Sequence, residues 1–530
     1  MHLAIALLLA AGLPPAARAQ NLDQIGVTLL QAMTTNLNGA GIRVAQPEAD
    51  YDLGTNWEVN PGTAGHLPSL LNYISGAGST TVFPNSLSSQ SGHADSVAQY
   101  FYGIPNGIAT NVVHVDNYDA NFFITNYIFT GTTDYVFVLA PIPAATVVNQ
   151  SFTFGSETTN LPTPVNYLAV SDQQEIDLAY DDYTVEYGVL FISAANNGGA
   201  VSPPGTAYNS IGVAAYRGSS GIGPTLDNGR CKPDITAPAG VTSFSTPQVS
   251  GAAAVLMQAA LRGDGGSDTN AAFDIRTIKA LLLNGAVKPA DWTNSYSSPL
   301  DARYGSGILN VFNAYEQLAG GKQNAGATNL ISIGAPHAPI PITNTIPTNS
   351  GWNNETISSG ATNDTANHYF FNVSSGMATA TLVWNRQFGQ TNINDLDLFL
   401  FDTANSQLIA CSTSRVDNVE HLFLPHLAAG RYDLQVLKNG GTNIVSNDET
   451  YALAFGFVPI QLTLMRAGPN SVLSWPVYPA GFGAEATTNL ATTNWSTNAL
   501  LAATLTGSTN ILTVPMTNAL QFFRLHQPNF

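Results

Sequence analysis

Between about residues 41 and 321, short apolar, β-branched runs alternate with stretches of helical periodicity. Runs at 41–45, 110–115, 135–139, 145–148 and 189–193 predict strands, and 93–102 and 174–187 predict helices between them. Strands that are apolar at nearly every position belong in a mainly parallel sheet covered on both faces, so this part predicts a three-layer α/β domain. It closes with helical patterns at 246–257, 275–283 and 308–318, the first with Pro247 placed at its start, where a missing N–H is harmless.

Beyond a polar, glycine-bearing stretch at 320–326 the helical period disappears. Evenly spaced runs at 369–373, 378–383, 396–401, 420–424, 430–436 and 450–455 predict a β-sandwich of jelly-roll type. Further short runs at 461–464, 471–475, 510–514 and 521–525 predict a small all-β module with no catalytic constellation. The expected division is a leader at 1–19, the α/β domain at 20–322, the β-sandwich at 323–460 and the C-terminal module at 461–530.

The leader changes the picture of where the protein works. Residues 3–13 are apolar but too short to cross a bilayer, and Ala17-Arg18-Ala19 before Gln20 has the small-x-small form of a signal-peptide cleavage site. Secretion, with no membrane span, is the expectation. Composition narrows the partners. The chain has 530 residues, 17 Lys plus Arg against 35 Asp plus Glu, and a net charge of −18. That balance cannot supply the phosphate-neutralising patch that nucleic acid needs, and no polybasic stretch addresses an anionic membrane. Cys231 and Cys411 stand 180 residues apart in different predicted domains. Two separate thiols are preferred over a disulfide, which the spacing alone does not decide.

Three residues carry candidate chemistry. Ser243, in the run Val-Thr-Ser-Phe-Ser-Thr-Pro-Gln-Val-Ser-Gly at 241–251, stands before an alanine-rich helix whose dipole favours a developing anion at its start. Alone, such a serine is ordinarily a cap. A hydroxyl nucleophile needs a base, and His93, in Ser-Gly-His-Ala-Asp-Ser at 91–96, begins a predicted helix. A carboxylate is then needed to orient the imidazole. Glu48 ends the first strand, at the sheet edge where ligands of α/β folds gather, with Asp50 as the reserve candidate.

Taken together, in the order acid, histidine, serine, these residues resemble the subtilisin-like serine proteases over roughly residues 41–318. The runs at 41–48, 93–98 and 242–251 are similar to the family's acid, histidine and serine motifs, and Lys-Pro-Asp-Ile-Thr-Ala-Pro at 232–238 to the lead-in to the last of these. The resemblance implies that Asn197 donates to the oxyanion and that Ser151, Phe152 and Thr153 pair with an extended substrate. It also implies an endopeptidase, most simply a monomer, that takes protein or peptide substrates and needs no cofactor for the chemistry. The departures are specific: Glu48 for the usual aspartate, Ala94-Asp95-Ser96 in the histidine motif, Val241 where a glycine is usual, only four residues between Pro238 and Ser243, and no room for a folded pro-segment before residue 41. These departures keep a second reading open, in which an inactive protease-like scaffold carries β domains that bind surface protein or glycan.

In the sandwich, the segments around 392–398 and 416–420 resemble the β jelly-roll domain that follows some of these proteases. Asp395 and Asp397 share a strand face, and with Asp417 they could hold a structural Ca²⁺ through oxygen ligands. The plainer alternative is the wet face of a sheet.

Overall fold

The computed structural model describes residues 21–49, 56–129, 142, 144–155, 169–342, 344–491, 494–496, 503–516 and 520–527. The predicted leader, the predicted strand at 135–139 and Asp50 lie outside the described residues. The α/β part is built on an eight-stranded sheet. In chain order its strands are β1 (Arg43–Glu48), β2 (Leu71–Ser75), β3 (Gly78–Thr80), β4 (His114–Asp119), β5 (Val147–Gln150), β6 (Leu190–Ala194), β7 (Ile211–Tyr216) and β8 (Ile235–Pro238). Their spatial order is β8-β7-β6-β5-β1-β4-β2-β3. All neighbours are parallel except the edge pair β2–β3.

Alternate residues of each central strand enter different cores. Val44, Val147, Leu190 and Ile192 pack on one face, and Ala45, Val148 and Phe191 on the other. This two-sided burial is why apolar residues follow one another directly within these strands rather than at every second position. Helix α1 (Gly92–Phe101), α3 (Thr242–Arg262), α4 (Ile275–Asn284) and α5 (Val311–Ala319) cover the first face, and α2 (Val170–Tyr187) the second. Helix α3 is buried almost throughout, which its run of alanines permits because small side chains let it lie close to the sheet. It begins four residues before the predicted start, so Pro247 sits inside the helix rather than at its opening. Helix α2 buries the acidic side chains Asp177 and Asp181, which Arg230 and Arg386 neutralise at 2.7 Å each.

The region after residue 322 is all β. Strands β9 (Ala327–Ser332), β10 (Ser350–Ser358), β11 (Asn363–Val373), β12 (Gly376–Trp384), β13 (Leu396–Asp402), β14 (Gln407–Ser412), β15 (Val419–Leu427), β16 (Gly430–Lys438) and β17 (Asp448–Val458) form two antiparallel sheets. Their orders are β9-β11-β16-β13-β14 and β10-β17-β12-β15, and inward residues of both, such as Tyr369, Leu398, Leu434, Leu382 and Leu453, share one core. The last segment forms a four-stranded and a two-stranded sheet around Leu473, Trp475 and Leu512.

The sandwich is not tethered by a linker alone. Trp352, Val383, Val419, Ala452 and Ala454 join the core of the α/β part. Asn284 at the end of α4 accepts hydrogen bonds from the hydroxyls of Thr379 and Thr381 at 2.8 and 2.9 Å, and Arg386 of the sandwich is the partner of Asp181. Cys231 and Cys411 are unbonded, and burial raises both thiol pKa values.

Candidate active site

Four strand ends supply the site. Glu48 closes β1, residues 151–153 follow β5, Asn197 follows β6, and the link 239–241 joins β8 to α3. All lie at the carboxyl edge of the parallel sheet, where the chain must leave the ladder and backbone groups become available.

His93 is held through its Nδ1, 2.8 Å from Glu48 Oε2. The carboxylate is itself fixed. Gln46, two residues earlier on the same strand face, donates from Nε2 to Glu48 Oε1 at 2.8 Å and to the carbonyl of Ala94 at 3.0 Å. Tyr102 in turn donates its hydroxyl to Gln46 Oε1 at 2.7 Å. Gln46, Glu48 and Tyr102 are all fully or almost fully buried. With Nδ1–H committed to the carboxylate, the imidazole presents a lone pair at Nε2, which is buried and has no partner among the described residues. An imidazole nitrogen held in this way is free to accept a proton.

Ser243 lies in the first turn of α3, buried. Its Oγ donates to the carbonyl of Ser151 at 3.3 Å, and no hydrogen bond joins it to His93. Ser151 Oγ donates back to the carbonyl of Ser243 at 2.9 Å. Phe244 next in sequence brings its ring 5.8 Å from that of His93 and stacks on Tyr100 at 5.6 Å. The constellation is therefore complete on the acid–histidine side and open on the histidine–serine side, a looseness that is ordinary where no substrate is bound.

Asn197 is oriented by Thr242, whose backbone N–H and Oγ1 both donate to its Oδ1 at 2.9 and 2.7 Å. Because an N–H requires an acceptor, this fixes which end of the amide is oxygen and leaves Nδ2 as the donor, without a partner among the described residues. The preceding Asn196 takes the left-handed conformation, φ 83°, that turns the chain at this point.

Val241 adopts an extended backbone, φ −147° and ψ 161°, so the β-branched residue in the place of a glycine is unstrained. The short link before Ser243 is packed rather than open. Ala239, Val241 and Phe244 form a buried cluster with Val97 and Tyr100 of the histidine helix. Asp95, in the altered histidine motif, accepts from the backbone N–H of Asn60 at 2.7 Å and from the Gln90 amide, so it ties two loops to α1.

Of the residues implied to meet substrate, Ser151 brackets Ser243, while Phe152 packs into the core on the α2 side of the sheet, and Thr153 is buried beside it. The predicted calcium ligands are not brought together. Asp397 accepts from Asn439 at 2.8 Å, and burial reinforced by Asp395 pushes its carboxyl up to about 7. Asp417 turns to the α/β part instead, where Oδ1 accepts from Cys231 N–H at 2.6 Å and Oδ2 from Ser414 at 2.7 Å. Among the described residues, no group of three or more His, Cys, Asp or Glu side chains is placed to hold a metal ion. Period two put Asp395 and Asp397 on one face, but it carries no information about a residue on another strand.

Gln46, Tyr102, Thr242 and Phe244 are the site residues that the sequence reading passed over. Gln46 and Thr242 had a signal, one sharing the strand face of Glu48 and the other adjoining Ser243, whereas Tyr102 reaches the site only through the fold.

No curated protein sequence matches the chain. Among solved structures, the serine protease of Aeromonas sobria in complex with its chaperone aligns at 15% identity, over 80% of this chain and 89% of that one, with a TM-score of 0.32. Tripeptidyl peptidase 2 aligns at 12% identity over 75% of this chain and 43% of that one, with a TM-score of 0.29. The family match is more direct, covering residues 139–307, which include Ser151, Asn197 and Ser243 but begin after Glu48 and His93. Residues 139–307 of this chain match the model of the Subtilase family.

Proposed function

We propose that the protein is a secreted serine endopeptidase in which Ser243 is the nucleophile, His93 the general base and Glu48 the orienting acid. The carrying observation is the Glu48–His93 pair at 2.8 Å with a bare, buried Nε2. Rotation of Ser243 Oγ from the Ser151 carbonyl towards Nε2 lets His93 take its proton as the oxygen attacks a peptide carbonyl. The backbone N–H of Ser243 and Nδ2 of Asn197 receive the oxyanion. His93 then passes the proton to the leaving amine, and water, deprotonated by the same imidazole, releases the acyl group. No metal or cofactor enters these steps. The substrate is a protein or peptide laid along residues 151–153, and the enzyme acts as a monomer after loss of its leader.

The same proposal divides the mature chain at about 322 and 460. The strand orders β10-β17-β12-β15 and β11-β16-β13-β14 support reading the middle part as a jelly roll. The second reading, an inactive scaffold, draws on the hydrogen bond that holds the Ser243 hydroxyl on Ser151 rather than His93. A fluorophosphonate probe decides between them. Labelling and casein cleavage that vanish in Ser243→Ala support the peptidase, and a wild-type protein that does neither leaves the scaffold.

A further inference from the structure

The chain contains five lysines. Lys232 and Lys279 both bind Asp234, at 2.6 and 3.2 Å, and Lys322 binds Asp268 at 2.8 Å. Lys438 stands in the field of Glu449, Asp448 and Asp395. Lys288 differs from all four in that no carboxylate acts on it: among the described residues none lies within ion-pair distance, and none offsets its burial as Glu449, Asp448 and Asp395 do for Lys438. Its Nζ meets one carbonyl, that of Ala286 at 3.2 Å, and lies 5.1 and 5.4 Å from the ring centres of Trp292 and Phe423. Its stem runs past Gly307, where even a Cβ would stand 3.3 Å from Cδ.

The other titratable group in this aromatic box is His421, whose ring meets the edge of Trp292 at 5.8 Å. Its state follows from its partners. Asn284 Oδ1 can only accept, so Thr381 donates its one hydroxyl proton there. Thr381 Oγ1 must then accept from His421 Nδ1–H at 2.8 Å. His421 therefore carries a proton on Nδ1, and its Nε2 is buried without a partner among the described residues. Burial, and after it the charge of Lys288, hold its pKa well below the ordinary value. Burial alone pushes the Lys288 amine down to about 7. A narrow cleft of only about 20 Å³ opens beside these groups where the α/β part, the sandwich and the C-terminal module meet, lined by Lys288, Phe423, Met377, Asn284, Tyr478 and Gln527.

We propose that Lys288 is a nucleophilic amine site that takes small carbonyl compounds, aldehydes above all, as imines in this cleft. An amine walled by rings and lacking a counter-ion is activated by desolvation, as nucleophilic lysines are. In the step, Nζ bonds to the carbonyl carbon, its two protons leave with the carbonyl oxygen as water, and a C=N bond replaces the C=O bond. No oxidant or reductant is consumed. The site is separate from Ser243 and does not depend on its chemistry.

Limiting ¹³C-formaldehyde with cyanoborohydride, applied to the full-length wild-type protein at pH 7 and pH 9 and followed by peptide mapping, reads the rate at each lysine. Lys288 is expected to be methylated at least about 10-fold faster than Lys322 at pH 7, since an amine brought down to about 7 is about half neutral there. Its rate should change little up to pH 9, whereas an ordinary lysine amine, almost wholly charged at pH 7, speeds up steeply over that range. Lys288→Met should remove the fast site and leave the rates at the other four lysines unchanged. A Lys288 rate at or below that of Lys322, or one rising in parallel with it, would overturn the proposal.

Discussion

Ser151 and Ser243 hold each other through two reciprocal hydrogen bonds, each hydroxyl donating to the other's carbonyl. Pro247 explains one of them. Within α3 the N–H of residue 247 would bond the carbonyl of residue 243, but proline has none, so that buried carbonyl needs another donor and finds it in Ser151. Ser151→Ala should therefore cost about 1–3 kcal/mol, the penalty of an unpaired buried acceptor. Pro247→Ala restores a helix donor, so the double variant should recover much of that loss in a urea-unfolding cycle. Additive losses would show that Ser243's carbonyl is not what Ser151 serves.

Gln46 predicts a different signature. Gln46→Met keeps the volume but removes the donor to Glu48 and the acceptor for Tyr102. The orienting carboxylate then has one fixed point instead of two. Peptide hydrolysis should show kcat falling by about 10–100-fold with KM nearly unchanged, because the lost positioning acts on the proton transfer. An equal change in KM would place Gln46 in substrate binding instead.

Glu48 tests whether charge or reach is what the histidine needs. Glu48→Gln keeps the length but removes the charge, and its amide can offer His93 the wrong partner. A loss of about 10²–10⁴ in kcat is expected, in line with the carboxylate-to-amide change in serine protease triads. Glu48→Asp keeps the charge but cannot span both Gln46 and His93 from the same backbone, so it should fall between wild type and Glu48→Gln. Full activity in the aspartate variant would remove Gln46 from the assembly.

Much of this was legible in the chain, and the gaps have physical causes. The α/β alternation, the sandwich and the acid–histidine pair were readable because apolar period and strand-end position are local properties. Strand β1 runs on through Gln46, Pro47 and Glu48, polar or ring-bearing residues that the apolar pattern leaves out but that pair with β4 through Glu48. Strands β2, β7 and β8 were passed over because they carry alanine, glycine, asparagine or serine where β-branched residues would have flagged them. The Ser151–Ser243 clasp and the turning of Asp417 to Cys231 join residues 92 and 186 positions apart. No local pattern encodes such distances.

The shared core predicts joint unfolding. Removing residues 323–530 would expose the face on which Trp352, Val383, Val419, Ala452 and Ala454 now pack and leave Asp181 buried without Arg386. Stranding a buried charge typically costs about 3–5 kcal/mol, a large share of a domain's stability. The chain cut at 322 should therefore be aggregated or molten. Calorimetry of the whole protein should show the α/β part and the sandwich melting in one transition, and two resolved transitions would contradict the coupling.

Glu449 at the start of β17 should make stability depend on pH in an uncommon direction. It is buried, and although Asn394 and Gln387 donate to it at 2.7 and 2.8 Å, desolvation pushes its carboxyl up to about 7. A carboxyl that binds its proton more tightly folded than unfolded favours the folded state at low pH. That advantage is present in full below the unfolded value near 4.5, declines as pH rises, and is gone above about 7, where both states are ionised and the folded one bears the burial cost. The swing amounts to up to about 3 kcal/mol for this group. Glu449→Gln stays neutral at every pH and can still meet Asn394. Relative to wild type it should gain stability between pH 5 and pH 8, with Tm rising at pH 8 and nearly unchanged at pH 5. A difference that is flat across that range, or that shrinks as pH rises, would mean that Glu449 is folded as a fully stabilised carboxylate.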